Sequence, residues 1–284
     1  MNTVIITGAT SGIGFAVCRA LTRLRYKVIG IGHSKRNCDI AKEKILHEIP
    51  NADISFFYAD LMQQQEVNRI ADTLAAFLEE NCDSKLYALI NNAGCVRSWY
   101  TTTEEGYEQQ FALNHLAGFL LTHRLLPYLK RASGRVMMTS SESHKRMKIH
   151  WKDIMYQTGY NPLLVYKQSK LCNLLFVYAF NTRYCSEGIR AYGIDPGLVR
   201  TDIGNKRTGG LVNFVWNLRK SQGVSPDLPA KTYVYLCEQA EKPQGLYYHQ
   251  CREAAYSRQV NAENAERLFA LSEQYCGITF GQEI

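Results

Sequence analysis

The first thirty residues contain the pattern that most constrains the fold. A short β-branched apolar run, Thr3 to Thr7, is followed by the glycine-rich stretch 8–14 and by residues 15–23, in which apolar side chains recur at helical spacing. A second apolar run, 27–32, comes next. Such uninterrupted runs are typical of strands buried on both faces of a parallel sheet, so their order predicts a βαβ unit with a right-handed crossover.

The same alternation continues along the whole chain. It predicts an α/β fold, a doubly wound, largely parallel, Rossmann-type sheet of seven strands with helices on both faces. The predicted strands are 3–7, 27–32, 54–58, 86–90, 135–139, 189–194 and 246–249, and the predicted helices are 15–23, 38–48, 63–80, 104–130, 163–186, 227–239 and 259–275. No linker or repeat interrupts them, so we expect residues 1–284 to form a single domain.

Two segments do not fit the alternation. Residues 142–162 separate the fifth strand from the helix that follows it, and residues 201–226 follow the sixth strand. The second segment holds the apolar side chains of Leu211, Phe214, Val215 and Trp216. An apolar insertion after the carboxyl end of a strand is typical of a substrate lid, and a dimer-contact or membrane-surface helix is the alternative.

The composition limits the class of protein and its partners. Lys and Arg are scattered despite a net charge of +7, so we interpret them as solvated surface and expect no nucleic-acid partner. No apolar run is long enough to span a membrane. Nine cysteines without a Cys-x-x-Cys pair, together with the lack of a signal peptide, predict reduced thiols, no metal site and a cytoplasmic location.

Residues just past each strand are the informative ones, because open α/β sheets bind ligands at the carboxyl ends of their strands. The glycines after the first strand permit a tight turn, and the helix that follows can hold a pyrophosphate at its N-terminus, although such turns also occur without a nucleotide. After the second strand stand His33-Ser34-Lys35-Arg36, with no carboxylate until Asp39. Lys35 and Arg36 favour NADP(H), whose 2′-phosphate they can bind, over NAD(H), unless they are merely exposed loop charges. Asp60, at the end of the third strand, can meet the adenine amino group.

The stretch 166–170, Tyr-Lys-Gln-Ser-Lys, places a phenol and an ammonium four residues apart on one helix face. A phenol titrates near ~10 in water, so it exchanges protons at neutral pH only beside a cation that favours phenolate. Lys170 can be that cation for Tyr166. Taken alone, the pair also fits an amphipathic surface helix.

Taken together, these motifs resemble the short-chain dehydrogenase/reductase family. The matching residues, in the family's order, are Thr7-Gly8-x-x-x-Gly12-x-Gly14, Asp60, Asn91-Asn92-Ala93-Gly94, Asn114, Ser141, Tyr166-x-x-x-Lys170 and Pro196-Gly197-x-x-x-Thr201. Residues 113–122 and 166–173 are most similar to the retinol dehydrogenase and WW-domain oxidoreductase branch. The resemblance also implies a homodimer or homotetramer.

The resemblance implies a role for each matching residue. Tyr166 would be the general acid/base, Ser141 would hydrogen-bond the same substrate oxygen, and Lys170 would bind the nicotinamide ribose and lower the tyrosine pKa. Asn114 would hold a water that connects Lys170 to solvent as a proton relay. The predicted cofactor-binding residues are Gly8, Thr10, Ser11, Gly12, Ile13, Gly14, His33, Ser34, Lys35, Arg36, Asp60, Leu61, Asn92, Ala93, Gly94, Tyr166, Lys170, Pro196, Gly197, Val199 and Thr201.

We therefore expect an NADP(H)-preferring oxidoreductase that interconverts an alcohol with its ketone or aldehyde. The apolar insertion and the habits of the branch favour a bulky, apolar, steroid- or retinoid-like substrate. Two alternatives remain, a catalytically weak, nucleotide-sensing binding protein of the same fold and an NAD(H)-dependent reductase of small carbonyls.

Overall fold

A computed structural model describes residues 1–199 and 223–281. Its centre is a sheet of eight strands in the order β3-β2-β1-β4-β5-β6-β7-β8. The strands are β1 (Thr3–Thr7), β2 (Lys27–Gly32), β3 (Ile54–Tyr58), β4 (Ala88–Asn91), β5 (Arg135–Thr139), β6 (Arg190–Asp195), β7 (Tyr247–His249) and β8 (Arg252–Glu253). The first seven pair in parallel, and β8 is antiparallel to β7. The predicted doubly wound sheet is confirmed, and its order reverses between β1 and β4.

Helices cover both faces of this sheet. They are α1 (Gly12–Arg23), α2 (Lys35–Glu48), α3 (Gln64–Asn81), α4 (Gln109–Phe111), α5 (Ala117–Arg124), α6 (Leu126–Arg131), α7 (Pro162–Tyr184), α8 (Asp227–Glu238) and α9 (Ala262–Cys276). One core packs α3, α5, α7 and α9 against the sheet, and the other packs α1 and α8. Ile5 faces the first core while Val4 and Ile6 face the second, which explains why the strand reads as apolar at successive positions.

The prediction differs from the structure mainly around residues 104–130. The helix predicted to begin at 104 begins only at Gln109, because Thr102 and Glu108 form a bridge and the Glu108 Oε2 atom accepts a hydrogen bond from the Phe111 N–H at 2.7 Å. A π-helical turn, Ala112–Leu116, then joins α4 to α5. Apolar periodicity does not reveal such a turn, since it inserts a single residue into an otherwise regular helix.

Two smaller differences concern a helix start and an edge strand. The helix predicted from residue 38 begins at Lys35, because Ser34 caps it by accepting from the Asn37 N–H at 3.4 Å. The two-residue strand β8 was not predicted, being too short for its alternation to be read. Of the predicted lid at 201–226, residues 201–222 lie outside the described part of the chain.

The Gln168 side chain on α7 anchors the insertion 142–162 by two hydrogen bonds. The Gln168 Oε1 atom accepts from the His150 N–H and its Nε2 atom donates to the Ile154 carbonyl, each at 2.7 Å. Gln168 is buried, as are Met147 and Ile154 of the insertion. The insertion is therefore fixed to the helix only two residues beyond Tyr166.

We expect Gln168→Ala to lower the free energy of unfolding by about 1–3 kcal/mol, because it leaves the two backbone groups without their partner. Urea unfolding measures this loss. The matched control is Gln157→Ala in the same insertion, where the side chain is exposed and the expected change is within about 0.5 kcal/mol. Equal losses in the two variants would contradict the anchoring role of Gln168.

Candidate active site

Hydrogen bonds join the start of the glycine-rich turn after β1 to the loop after β4. The Thr7 Oγ1 atom accepts from the backbone N–H groups of Asn92 and Ala93, both at 2.9 Å. The Asn92 Nδ2 atom returns a hydrogen bond to the Thr7 carbonyl at 3.0 Å. These bonds bring together the two stretches of predicted cofactor-binding residues, 8–14 and 92–94.

Two positions in the turn require glycine for different reasons. Gly8 has φ +66°, in the left-handed region. A Cβ atom at Gly14 would lie 2.3 Å from the Gly8 carbonyl oxygen, so the first turn of α1 packs directly on the backbone of the glycine turn. Any larger residue at position 14 would force the helix away from the strand.

The N-terminus of α1 fits a phosphate group. The helix begins at Gly12, carries no acidic residue in its first turn, and is preceded by Ser11, whose side chain does not cap it. Thr10 and Ile13 are partly exposed beside it. Backbone N–H groups and the helix dipole at such an end favour negative charge.

The predicted 2′-phosphate residues lie at the start of α2. Lys35 and Arg36 occupy the first turn of this helix, behind Ser34, and both side chains are exposed. The Lys35 Nζ atom lies 2.8 Å from the Asp39 Oδ2 atom, and this carboxylate raises the pKa of Lys35. The two residues are therefore exposed charges in the first turn of a helix.

A carboxylate from the neighbouring strand also reaches this region. The Asp60 Oδ1 atom lies 3.6 Å from the His33 Nδ1 atom and accepts from the Met62 N–H at 3.2 Å. Leu61 is buried beside it. The sequence after β2 could not show that His33 has a carboxylate beside it, because Asp60 follows β3.

Lys170 is a buried cation at the carboxyl end of β5. It is 2% exposed, and its Nζ atom donates to the Thr139 carbonyl at 3.0 Å. The same Nζ atom lies 5.5 Å from the ring centroid of the half-buried Tyr166. Burial lowers the pKa of Lys170 to about 8, because desolvation disfavours the charged form. The predicted pair therefore does not lie on a surface helix.

The two serines after β5 have different surroundings. Ser140 is fully buried, and its Oγ atom donates to the Lys170 carbonyl at 2.8 Å. Ser141 is half-buried, and its Oγ atom accepts from the Ser143 N–H at 3.3 Å. The hydroxyl of Ser140 thus ties β5 to α7, and Ser141 is the member of the pair with a partly accessible side chain. Ser141 stands two residues after Thr139, whose carbonyl accepts from the Lys170 ammonium beside Tyr166.

Asn114 projects from the π-helical turn toward the same place. Its Oδ1 atom accepts from the Cys95 N–H at 2.8 Å, and its Nδ2 atom donates to the Cys95 carbonyl and to the Ser169 Oγ atom, both at 3.0 Å. A Cβ atom at Gly94 would lie 3.1 Å from Asn114 Oδ1 and 3.6 Å from Lys170 Nζ. Gly94 therefore lies against both predicted members of the proton relay.

The carboxyl end of β6 supplies the last predicted contacts. The Asp195 Oδ1 atom accepts from the Gly197 N–H at 2.9 Å, which fixes Gly197 at φ +69° after Pro196. Val199 pairs with Val224 in an isolated parallel bridge. Thr201 lies outside the described residues.

Sequence reasoning missed His144, which holds the backbone of Ser141. Its Nδ1 atom lies 2.5 Å from the Ser141 carbonyl, and its Nε2 atom accepts from the Ser257 N–H at 3.2 Å. Because a backbone N–H can only donate, Nε2 carries no proton and Nδ1 is the donor. Burial lowers the pKa of His144, which keeps this neutral form. Its partner Ser257 is too distant in sequence to have been foreseen.

The described residues form neither a metal-binding cluster nor a membrane-spanning helix. No group of three or more His, Cys, Asp or Glu side chains there is arranged to hold a metal ion. No helix in residues 1–199 or 223–281 is both long and apolar enough to cross a bilayer. All nine cysteines lie outside any disulfide bond.

The chain is similar to known dehydrogenases in sequence and in structure. The family described as short chain dehydrogenase matches residues 2–210. Retinol dehydrogenase 12 of Mus musculus is 34% identical over 279 residues, which cover 97% of this chain and 86% of the relative. Retinol dehydrogenase 13 of Homo sapiens is 33% identical over 291 residues, covering 98% of this chain and 85% of the relative.

Solved structures share the fold. An uncharacterized protein from Mycobacterium Paratuberculosis superposes with a TM-score of 0.77 at 27% identity, covering 99% of this chain and 96% of the other. A short-chain dehydrogenase from Sphingobium yanoikuyae, in complex with NADPH, gives a TM-score of 0.67 at 21% identity over 100% and 98% of the two chains. The glycine turn, the strand order and these similarities lead to one conclusion: the chain belongs to the short-chain dehydrogenase/reductase family and is an NAD(P)-dependent oxidoreductase acting on CH–OH groups.

Proposed function

We propose that this protein is an NADP(H)-preferring oxidoreductase that interconverts a bulky apolar alcohol and its ketone or aldehyde, with Tyr166 as the general acid/base. The observation that carries the proposal is the buried Lys170 ammonium, fixed on the Thr139 carbonyl and 5.5 Å from the Tyr166 ring centroid. A cation fixed at this distance favours the phenolate form of the tyrosine. Lowering a phenol pKa by ~3 units would take roughly 4 kcal/mol of differential interaction.

The proton steps follow from these positions. When bound, the nicotinamide cofactor supplies or accepts the hydride at the substrate carbon. Tyr166 gives its phenolic proton to the carbonyl oxygen in reduction and takes the hydroxyl proton in oxidation. The Ser141 hydroxyl donates a hydrogen bond to the same oxygen. Lys170 stabilises the phenolate, and Asn114 lies beside Gly94 where a water can return the proton to solvent.

Apolar side chains at the carboxyl edge of the sheet support an apolar substrate. Trp99 follows β4 and is 61% exposed, and Leu198 follows β6 and is 47% exposed. Leu164, two residues before Tyr166, is 38% exposed. Isolated exposed apolar residues are ordinary, but Trp99 and Leu198 follow two different strands at their ligand-binding ends, and Leu164 lies in the first turn of α7. The insertion 201–226 is proposed as the lid over them, and the retinol dehydrogenases are relatives with apolar substrates in their names.

The preference for NADP(H) rests on the first turn of α2. An anion beside that N-terminus would meet the Ser34 cap and the cationic side chains of Lys35 and Arg36. A structural neighbour from Thermococcus sibiricus, with a TM-score of 0.68, is described as complexed with 5-hydroxy-NADP. We also propose, from the sequence alone, that the chain forms a single domain, assembles as a homodimer or homotetramer, and is located in the cytoplasm.

Replacing Tyr166 by Phe tests the assigned chemistry. We expect Tyr166→Phe to lower kcat by roughly 100- to 10,000-fold, the usual contribution of a general acid/base. NADPH affinity should fall by about tenfold or less, since at most one hydrogen bond to the cofactor is lost. Tyr178→Phe, on the same helix and partly exposed, is the matched control and should keep full activity. Steady-state kinetics on a steroid, retinoid and aromatic-ketone panel measures both. Undiminished turnover in Tyr166→Phe would refute the mechanism, and a wild type that reduces only small polar carbonyls would refute the substrate class.

The cofactor preference has its own test. We expect the double variant Lys35→Ala/Arg36→Ala to lower the kcat/KM ratio of NADPH over NADH by roughly 10- to 100-fold, about 1.4–2.7 kcal/mol for the two residues together. Both side chains are exposed, so each contributes less than the roughly 1.5–3 kcal/mol of a shielded hydrogen bond to a charged group. Lys42→Ala/Lys44→Ala, exposed positions on the same helix, is the control for a general loss of positive charge. If the wild type already uses both cofactors equally, Lys35 and Arg36 do not bind a 2′-phosphate.

A further inference from the structure

We propose that His115 and Asn173 position the Lys170 ammonium, and that Ser272 on α9 holds this pair in place. The inference rests on the proposed function of Lys170 and gives a role to His115, Asn173 and Ser272, to which the family resemblance assigns none. It also extends the site beyond residues 2–210, the part of the chain matched by the family, because Ser272 lies in the last helix.

Lys170 and Asn173 share one hydrogen-bond acceptor. The Thr139 carbonyl accepts from Lys170 Nζ at 3.0 Å and from Asn173 Nδ2 at 3.0 Å. Thr139 ends β5, and Ser141 follows two residues later. The direction of this carbonyl therefore sets where the ammonium lies relative to Ser141, and the Asn173 amide helps to fix that direction.

The two contacts of the Asn173 side chain fix the orientation of its amide group. Because its Nδ2 group faces a carbonyl, its Oδ1 atom faces the His115 Nδ1 atom, 3.2 Å away. Two acceptors cannot bind each other, so His115 must carry a proton on Nδ1. The reverse orientation of the amide would set two oxygens against each other at Thr139.

Burial sets the protonation state of His115. It is fully buried, and burial lowers its pKa to about 4, so the imidazole is neutral at physiological pH. With its proton on Nδ1, the Nε2 atom is an acceptor. Ser272 Oγ lies 2.9 Å from Nε2 and 2.8 Å from the Leu268 carbonyl, and its single proton can be donated to only one of them. Because an unprotonated Nε2 would otherwise face a lone pair of Oγ, the neutral Nδ1–H form of His115 draws the Ser272 hydroxyl to Nε2 as donor. The chain of bonds then runs from Ser272 through His115 and Asn173 to the carbonyl that holds Lys170.

The π-helical turn makes this chain possible. Its adjacent residues Asn114 and His115 reach Ser169 and Asn173, which are one turn apart on α7. Both partners of the turn are buried, so the two hydrogen bonds are shielded from water. His115 is also stacked on Phe111, with ring centroids 5.4 Å apart and an interplanar angle of 29°. Both the relay asparagine and the lysine are thus placed by one local irregularity.

His115→Phe removes the Nδ1 donor while keeping a planar ring. We expect it to lower kcat/KM by roughly 10- to 100-fold, since a misplacement of about 1 Å in an active site can cost that much. The pKa of Lys170, followed by NMR of labelled lysine against Lys170→Met for assignment, should rise by about one pH unit, because a freed carbonyl and entering water both favour the charged ammonium. A role in packing alone would leave that titration unchanged.

Three further variants complete the test. His115→Asn returns an amide donor near the Nδ1 position and should recover most of the activity and the lowered pKa, and Ser272→Ala should give an intermediate loss of both. His123→Phe, a buried histidine on α5 that bonds the Thr279 carbonyl, is the matched control and should change neither. Unchanged kcat/KM and unchanged Lys170 titration in Ser272→Ala and in folded His115→Phe would overturn the inference. If His115→Phe does not fold, Ser272→Ala and His115→Asn decide it.

The same design separates this inference from the proposed function. If the wild type turns over no carbonyl compound, the proposed function fails. The Lys170 titration in the variants still reports on the network, because it needs no substrate.

Discussion

The burial of one ammonium group organises this structure. Lys170 is 2% exposed and lies on the Thr139 carbonyl, and taking a charge out of water is costly unless polar groups are arranged around it. The arrangement draws on several elements, since Thr139 ends β5, Asn173 shares its carbonyl from α7, and Gly94 after β4 leaves room for the Nζ atom. Desolvation by burial lowers the pKa of Lys170 to about 8. This value is close enough to neutral pH for neighbouring groups to change the protonation of Lys170.

The cofactor side of the site depends on a second constraint, the close approach of backbone to backbone. Thr7 binds two N–H groups of the loop after β4, and Gly14 lies against the Gly8 carbonyl. The glycine turn is thereby fixed to the strand next to it, across the point where the sheet order reverses. The lysine and the glycine turn meet at the segment 92–94, which contacts both, so the two halves of the site are positioned by one loop.

Local patterns were sufficient to predict the fold, because strands buried on both faces gave uninterrupted apolar runs. The glycine turn, Asn92 to Gly94, Ser141 and Pro196-Gly197 each follow a strand, so their place at the carboxyl edge of the sheet could also be predicted. Features that depend on distant partners could not be predicted. His144 binds Ser257, His115 binds Ser272, and Asp60 reaches His33 from another strand. The π-helical turn at 112–116 also left no periodic signal, although it directs Asn114 and His115 toward α7.

The pH dependence of unfolding in wild type and in Lys170→Met shows directly whether Lys170 is buried and charged at a cost in stability. The folded pKa is lowered from 10.5 to about 8, so below pH ~8 the charged lysine destabilises the folded state by on the order of 3 kcal/mol. Between pH ~8 and ~10.5 the unfolded state holds the proton more tightly, and wild-type stability should rise with pH. Lys170→Met, which leaves the Thr139 carbonyl bonded to Asn173, should therefore be more stable than wild type at pH 7, with a gap that narrows toward pH 10. A variant that is less stable than wild type by the same amount at every pH would contradict the account.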